Sequence, residues 1–140
     1  MRGICGLSVV PLRAESSESS EQVNQILFGE TFLVQEEKKD WLWVKLDHDD
    51  YEGWLSRSQF LSLKNDKEIP SKPGDVAVVG ELIEIVSQKD GENFFPIFLG
   101  SFLPHYEKEN QSIAVGPTSF FYKGPILQQK LSREQLLEIA

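Results

Sequence analysis

Between Trp41 and Leu55 two aromatic-rich apolar runs, 41–46 and 51–55, flank a polar stretch. Val44 and Leu46 alternate with Trp43 and Lys45, the pattern of a strand with one face in a core. Asp47-His48-Asp49-Asp50 is polar turn material. Tyr51-Glu52-Gly53-Trp54-Leu55 then resumes an aromatic-rich strand, with Gly53 marking a bulge or a close backbone approach. The two runs predict a β-hairpin. A lone hairpin is marginal in water, so the flanking segments must wrap it.

Upstream, residues 8–13 predict a short strand that Pro11 confines to an edge. Residues 14–21 are rich in Ser and Glu, follow no apolar period and read as a loop. Val23, Ile26 and Leu27 would also suit a helical stripe, but β-branched content and the closing Gly29-Glu30 favour strand and turn. Residues 31–34 predict the next strand, 35–40 a charged turn, and 56–60 a single 3₁₀ turn. Five short strands with tight polar connections point to an SH3-like barrel over residues 1–63.

Residues 64–74 are polar and carry Pro70 and Pro73, which makes them the predicted linker. Residues 75–128 read as a second small β unit. Val79, Leu82, Ile83 and Val86 have helical spacing, yet β-branched content favours a strand over 75–86. Residues 94–99 form another strand, interrupted by Pro96. Residues 112–115 and 118–122 pair across Gly116-Pro117, and Gly124-Pro125 ends the series. Residues 129–140 predict a short C-terminal helix, with Ser132 and Gln135 as a capping box and Leu136, Leu137 and Ala140 on one face. The fold class expected is therefore mainly β: two small SH3-like barrels in tandem and a terminal helix.

Charge narrows the function. The chain has 140 residues, 14 Lys plus Arg against 22 Asp plus Glu, and a net charge of −8. That sign repels phosphate backbones and anionic lipid, so nucleic acid is not an expected partner. No apolar run is long enough to span a membrane, and residues 1–6 hold no secretory core, so a cytoplasmic protein is expected. The single cysteine, Cys5, allows no internal disulfide.

Two stretches bear a resemblance. Leu7-Ser8-Val9-Val10-Pro11-Leu12-Arg13-Ala14-Glu15, followed by residues 20–30, resembles the opening of the bacterial SH3 domains that precede NlpC-type cysteine peptidases. Tyr51-Glu52-Gly53-Trp54 matches the end of that barrel, and Phe98-Leu99-Gly100-Ser101-Phe102-Leu103-Pro104 looks like the second SH3 domain of the same group. Those bacterial enzymes are γ-D-glutamyl-L-diamino-acid endopeptidases acting on peptidoglycan stem peptides in cell-wall recycling.

The resemblance implies a catalytic domain in cis, following the helix of residues 129–140, with its nucleophilic Cys and partner His beyond Ala140. Cys5 stands where the family has no nucleophile, so this chain is expected to be the non-catalytic, substrate-selecting region. The first barrel would supply a Tyr and an acidic group for the free amino end of the stem peptide. Tyr51 matches the Tyr; Glu15, with Glu21 as the lesser candidate, matches the acid. An ammonium beside a carboxylate and a phenolic oxygen makes charge-assisted hydrogen bonds. No cofactor is implied.

The remaining residues take plainer readings. Trp41, Trp43 and Trp54 are expected to pack in the core or at the barrel rim, Trp54 the most buried of the three. The 47–50 run has metal-ligand residue types, but consecutive turn residues rarely converge on one ion, so a solvated turn without metal is expected. His105 fits turn chemistry, Cys5 a small hydrophobe, and Arg13 a partner for a nearby carboxylate. The alternative function is a stand-alone SH3-like module recruiting a protein or cell-wall partner through a barrel groove.

Overall fold

The computed structural model describes residues 1–64, 68, 77–89 and 93–127. The expected helix over 129–140 and most of the expected linker lie outside the described residues. The chain is mainly β, and its antiparallel sheets have the build of SH3-like barrels.

The first sheet is assembled from β1 (Arg2–Ile4), β2 (Val9–Arg13), β3 (Gln22–Leu27), β4 (Thr31–Lys38), β5 (Trp41–Leu46), β6 (Glu52–Ser56) and β7 (Leu61–Leu63), with a 3₁₀ turn at Arg57–Gln59. Its strand order is β3-β2-β6-β5-β4-β1-β7. The predicted hairpin is β5–β6, in register from Trp41 opposite Ser56 to Lys45 opposite Glu52. Period-two alternation sends Leu42, Val44, Leu46 and Leu55 inward, where they meet Val10, Leu12, Ile26 and Phe32 in a closed core.

Two further sheets follow. One holds β9 (Ile83–Gln88), β10 (Phe94–Phe98), β12 (Ser112–Val115) and β13 (Thr118–Tyr122), in the order β10-β9-β13-β12. The other is small, with β8 (Ala77–Val79) between β11 (Phe102–Leu103) and β14 (Ile126–Leu127). Val79, Val86, Ile97, Leu103, Ile113 and Tyr122 fill the core beneath them.

That second core takes in residues of the first sheet. Ile4 and Phe28 are fully buried in it. The Phe28 ring stands edge-on to Phe95 and Phe120, at centroid distances of 5.6 and 5.9 Å. At the same place the Phe102 N–H donates to the Phe28 carbonyl at 2.9 Å, and the Ser8 hydroxyl donates to the Pro96 carbonyl at 2.5 Å. Burying one Phe side chain contributes roughly 1.5–3 kcal/mol, and each edge-on aromatic pair adds about 0.5–1.5 kcal/mol. The seam is therefore apolar at its centre and stitched by backbone bonds at its margin.

Several expectations need correction. Residues 35–38 are strand, not turn: β4 pairs with β5 as far as Lys38 opposite Trp41, leaving only Lys39-Asp40 to turn the chain, with Lys39 at φ 52°. Residues 35–38 are exposed and polar on both faces of β4, so no apolar period marks them. The strand expected over 75–86 is two, β8 and β9, broken at Gly80-Glu81-Leu82. β14 follows Gly124-Pro125, which does not end the series. The three-residue strands β1 and β7 were too short to show a period. Pro11 lies in a strand paired along its length with β3 on one side, and only at Arg13 with β6 on the other. The edge character expected of it holds for that unpaired side.

Gly29 is where the seam constrains the backbone most tightly. Its φ is +81°, and a Cβ there would stand 2.2 Å from the Phe102 carbonyl oxygen. Neither backbone can yield without breaking the Phe102–Phe28 bond. Gly29→Ala is expected to destabilise the chain by at least about 2 kcal/mol, read as a lowered urea midpoint at unchanged slope. An unchanged midpoint would show that the seam gives way freely.

Candidate functional site

Tyr51, Glu15 and Glu21 all belong to one end of the first sheet. β2 runs antiparallel to β6 with Arg13 opposite Trp54, so the loop after β2 and the turn before β6 emerge together. That loop, residues 14–21, is closed at its base by the Ala14 N–H donating to the Glu21 carbonyl at 2.9 Å. Within it, the Glu15 N–H donates to Ser20 Oγ at 2.8 Å. Arg13 holds the loop from below, donating to the Ser20 carbonyl at 3.1 Å and approaching Glu18 at 3.9 Å, the carboxylate pairing expected of it. Glu15 and Glu21 thus sit at the two ends of one pinned loop, both exposed, and among the described residues neither is in a salt bridge.

Tyr51 reaches the same edge from the other side. Its N–H donates to Asp49 Oδ1 at 3.0 Å, its carbonyl accepts from the Leu46 N–H at 2.8 Å, and Asp50 takes φ 60° to close the turn. Its hydroxyl donates to the Val23 carbonyl at 3.3 Å, two residues past Glu21. A phenol has one proton to donate, so its oxygen lone pairs remain for a donor from outside. The ring is 39% exposed, open enough to be reached.

The turn expected to be merely solvated is divided. Asp49 and Asp50 are exposed, but Asp47 pairs with Arg2 and accepts from the Thr31 hydroxyl at 2.5 Å. His48 points inward, pairing through Nε2 with Glu30 and lying edge-on to Phe102 at 6.0 Å. Glu30 is fully buried, and its Oε1 accepts the Leu27 N–H at 2.6 Å. Partners 18 residues apart on two turns leave no sequence signature, and this pair was not foreseen. Among the described residues no group of three or more Asp, Glu, His or Cys side chains could hold a metal ion. His105, at φ 52° in an exposed turn, reaches through Nε2 to the Glu68 carbonyl, 37 residues away in sequence, at 3.2 Å.

Cys5 lies close to this pair without being activated by it. Its thiol donates to the Leu7 carbonyl at 3.2 Å. Burial pushes its pKa up from 9.0 to about 12; the Leu7 hydrogen bond lowers it and the Glu30 charge raises it further. A nearby carboxylate repels a thiolate, the reverse of what a nucleophile needs. Cys5 is a packed hydrophobe.

The three tryptophans are not core residues. Trp41, Trp43 and Trp54 are all half-buried on the outer face of the hairpin. The fully enclosed neighbours of Trp54 are Gly53, against the Leu12 side chain, and Leu55. Trp43 and Trp54 are a cross-strand pair, edge-on at 5.3 Å, and the Trp43 indole N–H donates to Glu52 at 2.9 Å. Such a pair stabilises the hairpin from outside by roughly 0.5–1.5 kcal/mol.

With this geometry in hand, the comparisons with known proteins fall into place. Residues 12–60 match the family model of the bacterial dipeptidyl-peptidase Sh3 domain. The matched span holds Glu15, Glu21, Tyr51 and the tryptophan pair. No curated protein matches the sequence. Among solved structures the fold is similar to an NlpC/P60 family protein from Bacillus cereus ATCC 10987, with 14% identity and a TM-score of 0.69, over 92% of this chain and 57% of that one. The likeness is one of fold, and the chain spans little more than half the length of that protein. Among the described residues no helix is long and apolar enough to cross a membrane.

The raised thiol pKa has a measurable consequence. Between pH 9.0 and about 12 the unfolded thiol loses its proton while the folded one keeps it, so Cys5 subtracts stability as pH rises through that window. At pH 8 native Cys5 should react with a thiol reagent at least about a hundredfold more slowly than in urea-unfolded chain. Equal rates would mean the thiol is accessible and the packing around it wrong.

Proposed function

We propose that the chain is a non-catalytic, substrate-selecting region of a peptidoglycan stem-peptide endopeptidase. In this reading residues 1–63 and 75–128 are tandem SH3-like units, and a cysteine peptidase domain in the same protein does the hydrolysis. The Tyr51 hydroxyl bond to Val23 carries the proposal. It holds the phenol at the edge where Glu15 and Glu21 close one loop, and it leaves the phenolic oxygen free to accept from an ammonium. The amino end of a stem peptide would donate to Tyr51 and be held by the carboxylate of Glu15, with Glu21 adding charge. The net charge of −8 favours a cationic end over a phosphate or carboxylate. The family match over residues 12–60 and the fold of the NlpC/P60 protein agree with a module of this class. A cytoplasmic role in cell-wall recycling is part of the same proposal.

The half-buried Trp43–Trp54 face favours one alternative, a module that recruits a protein or cell-wall partner on the outer side of the hairpin. An L-Ala-γ-D-Glu peptide titrated into the chain separates the two. Weak binding is expected, because in this reading the peptidase domain supplies much of the cleft; N-acetylation of the peptide should abolish it, and Tyr51→Phe should weaken it about fivefold. Tight binding indifferent to acetylation and to Tyr51→Phe would overturn the proposal.

A further inference from the structure

A second candidate site lies at the seam, away from the Tyr51 edge. A cavity of about 440 Å³ opens where the first sheet meets the second, within the size range of small-ligand and peptide pockets. Gly6 and Leu61 form its wall on the first-sheet side. Phe95 and Phe120 form an apolar floor, edge-on to each other at 5.8 Å and braced from behind by Phe28. The floor is a packed aromatic cluster and is pre-formed. Phe94, 70% exposed, stands among the lining residues as a large apolar surface.

The polar groups say what would fit. Gln88 and Asn93 both line the cavity, and Asn93 Nδ2 donates to Gln88 Oε1 at 3.4 Å. That bond leaves the Gln88 amide protons as donors and the Asn93 Oδ1 as an acceptor, neither with a partner among the described residues. One donor beside one acceptor is the complement of the C=O and N–H of one extended residue, which point to the same side of the chain. Among the described residues no charged side chain lines the cavity, although the chain as a whole carries −8.

We propose that this cavity binds a neutral peptide segment. One apolar side chain would lie against Phe95 and Phe120, and the C=O and N–H of one extended residue would accept from Gln88 and donate to Asn93. A charged side chain would find no partner of opposite charge among the described lining residues. Gly6 keeps the wall open: a Cβ there would come within 3.2 Å of Leu61 Cδ2, so a larger residue would narrow the cavity.

N-acetyl-L-leucinamide titrated into the isotope-labelled chain tests this by NMR. Saturable shifts are expected at Leu61, Val115 and Phe120. Gln88→Ala should weaken the binding about fivefold. Gly6→Val should remove it, and Tyr51→Phe should leave it unchanged, which keeps this site separable from the amino-end site. The proposal is overturned by no saturable shift up to the solubility limit, by equal binding of N-acetylglycinamide or N-acetyl-L-lysinamide, or by unchanged affinity in Gln88→Ala. Should Gly6→Val fail to fold, Gln88→Ala and Asn93→Ala, both at the polar side of the cavity, decide the matter alone.

Discussion

Phe28 belongs by sequence to the first sheet and by packing to the second core. Its ring completes an aromatic cluster with Phe95 and Phe120, while its carbonyl accepts the Phe102 N–H. A bulky ring fully out of water, between two partners from another unit, can be released only by exposing all three. The turn carrying Phe28 is therefore held from both sides. Gly29 follows in a left-handed conformation because the Phe102 backbone leaves no room for a side chain. Glu30 is drawn under the surface, where the Leu27 N–H and His48 compensate for its lost hydration. Cys5, bonded through its N–H to the Glu30 carbonyl, is sealed in by the same turn.

The edge proposed for the amino end depends on the opposite arrangement. Loop 14–21 and turn residues 49–51 lie at the surface, but each springs from strands paired deep in the first sheet, and each is pinned by side-chain bonds from Arg13, Ser20, Asp49 or Tyr51 itself. Rigid strands with polar, anchored loops at one end are what a recognition site for a small charged group requires. Cys5 shows the contrast, since the one thiol serves packing while Glu15 and Glu21 stay exposed.

Much of this was legible from alternation alone. β5 and β6 carry a clear period of two, while β12 and β13 are marked by the Gly116-Pro117 turn between them. The same alternation already set Trp43 opposite in face to Val44, and Trp54 opposite to Leu55. All three tryptophans are half-buried on that outer face, where the local pattern prevails over the usual preference of large aromatics for cores. Strands of two or three residues, such as β1, β7 and β14, have no period to read; they exist because a neighbouring edge pairs with them. Tyr51, Glu15 and Glu21 were chosen by resemblance, and sequence spacing could not have shown that one loop and one turn bring them to a common edge. Contacts between distant turns, Glu30 with His48 and Phe28 with Phe102, were beyond sequence reading for the same reason.

All three tryptophans lie in the first sheet, whereas Ile97 and Ile113 lie in the core of the second. Urea unfolding followed at once by tryptophan fluorescence and by the methyl resonances of those two isoleucines tests whether the Phe28 seam makes one cooperative body. Coincident transitions with one midpoint and one slope are predicted. Two separated transitions, with the isoleucine methyls melting while the tryptophan signal stays native, would contradict it.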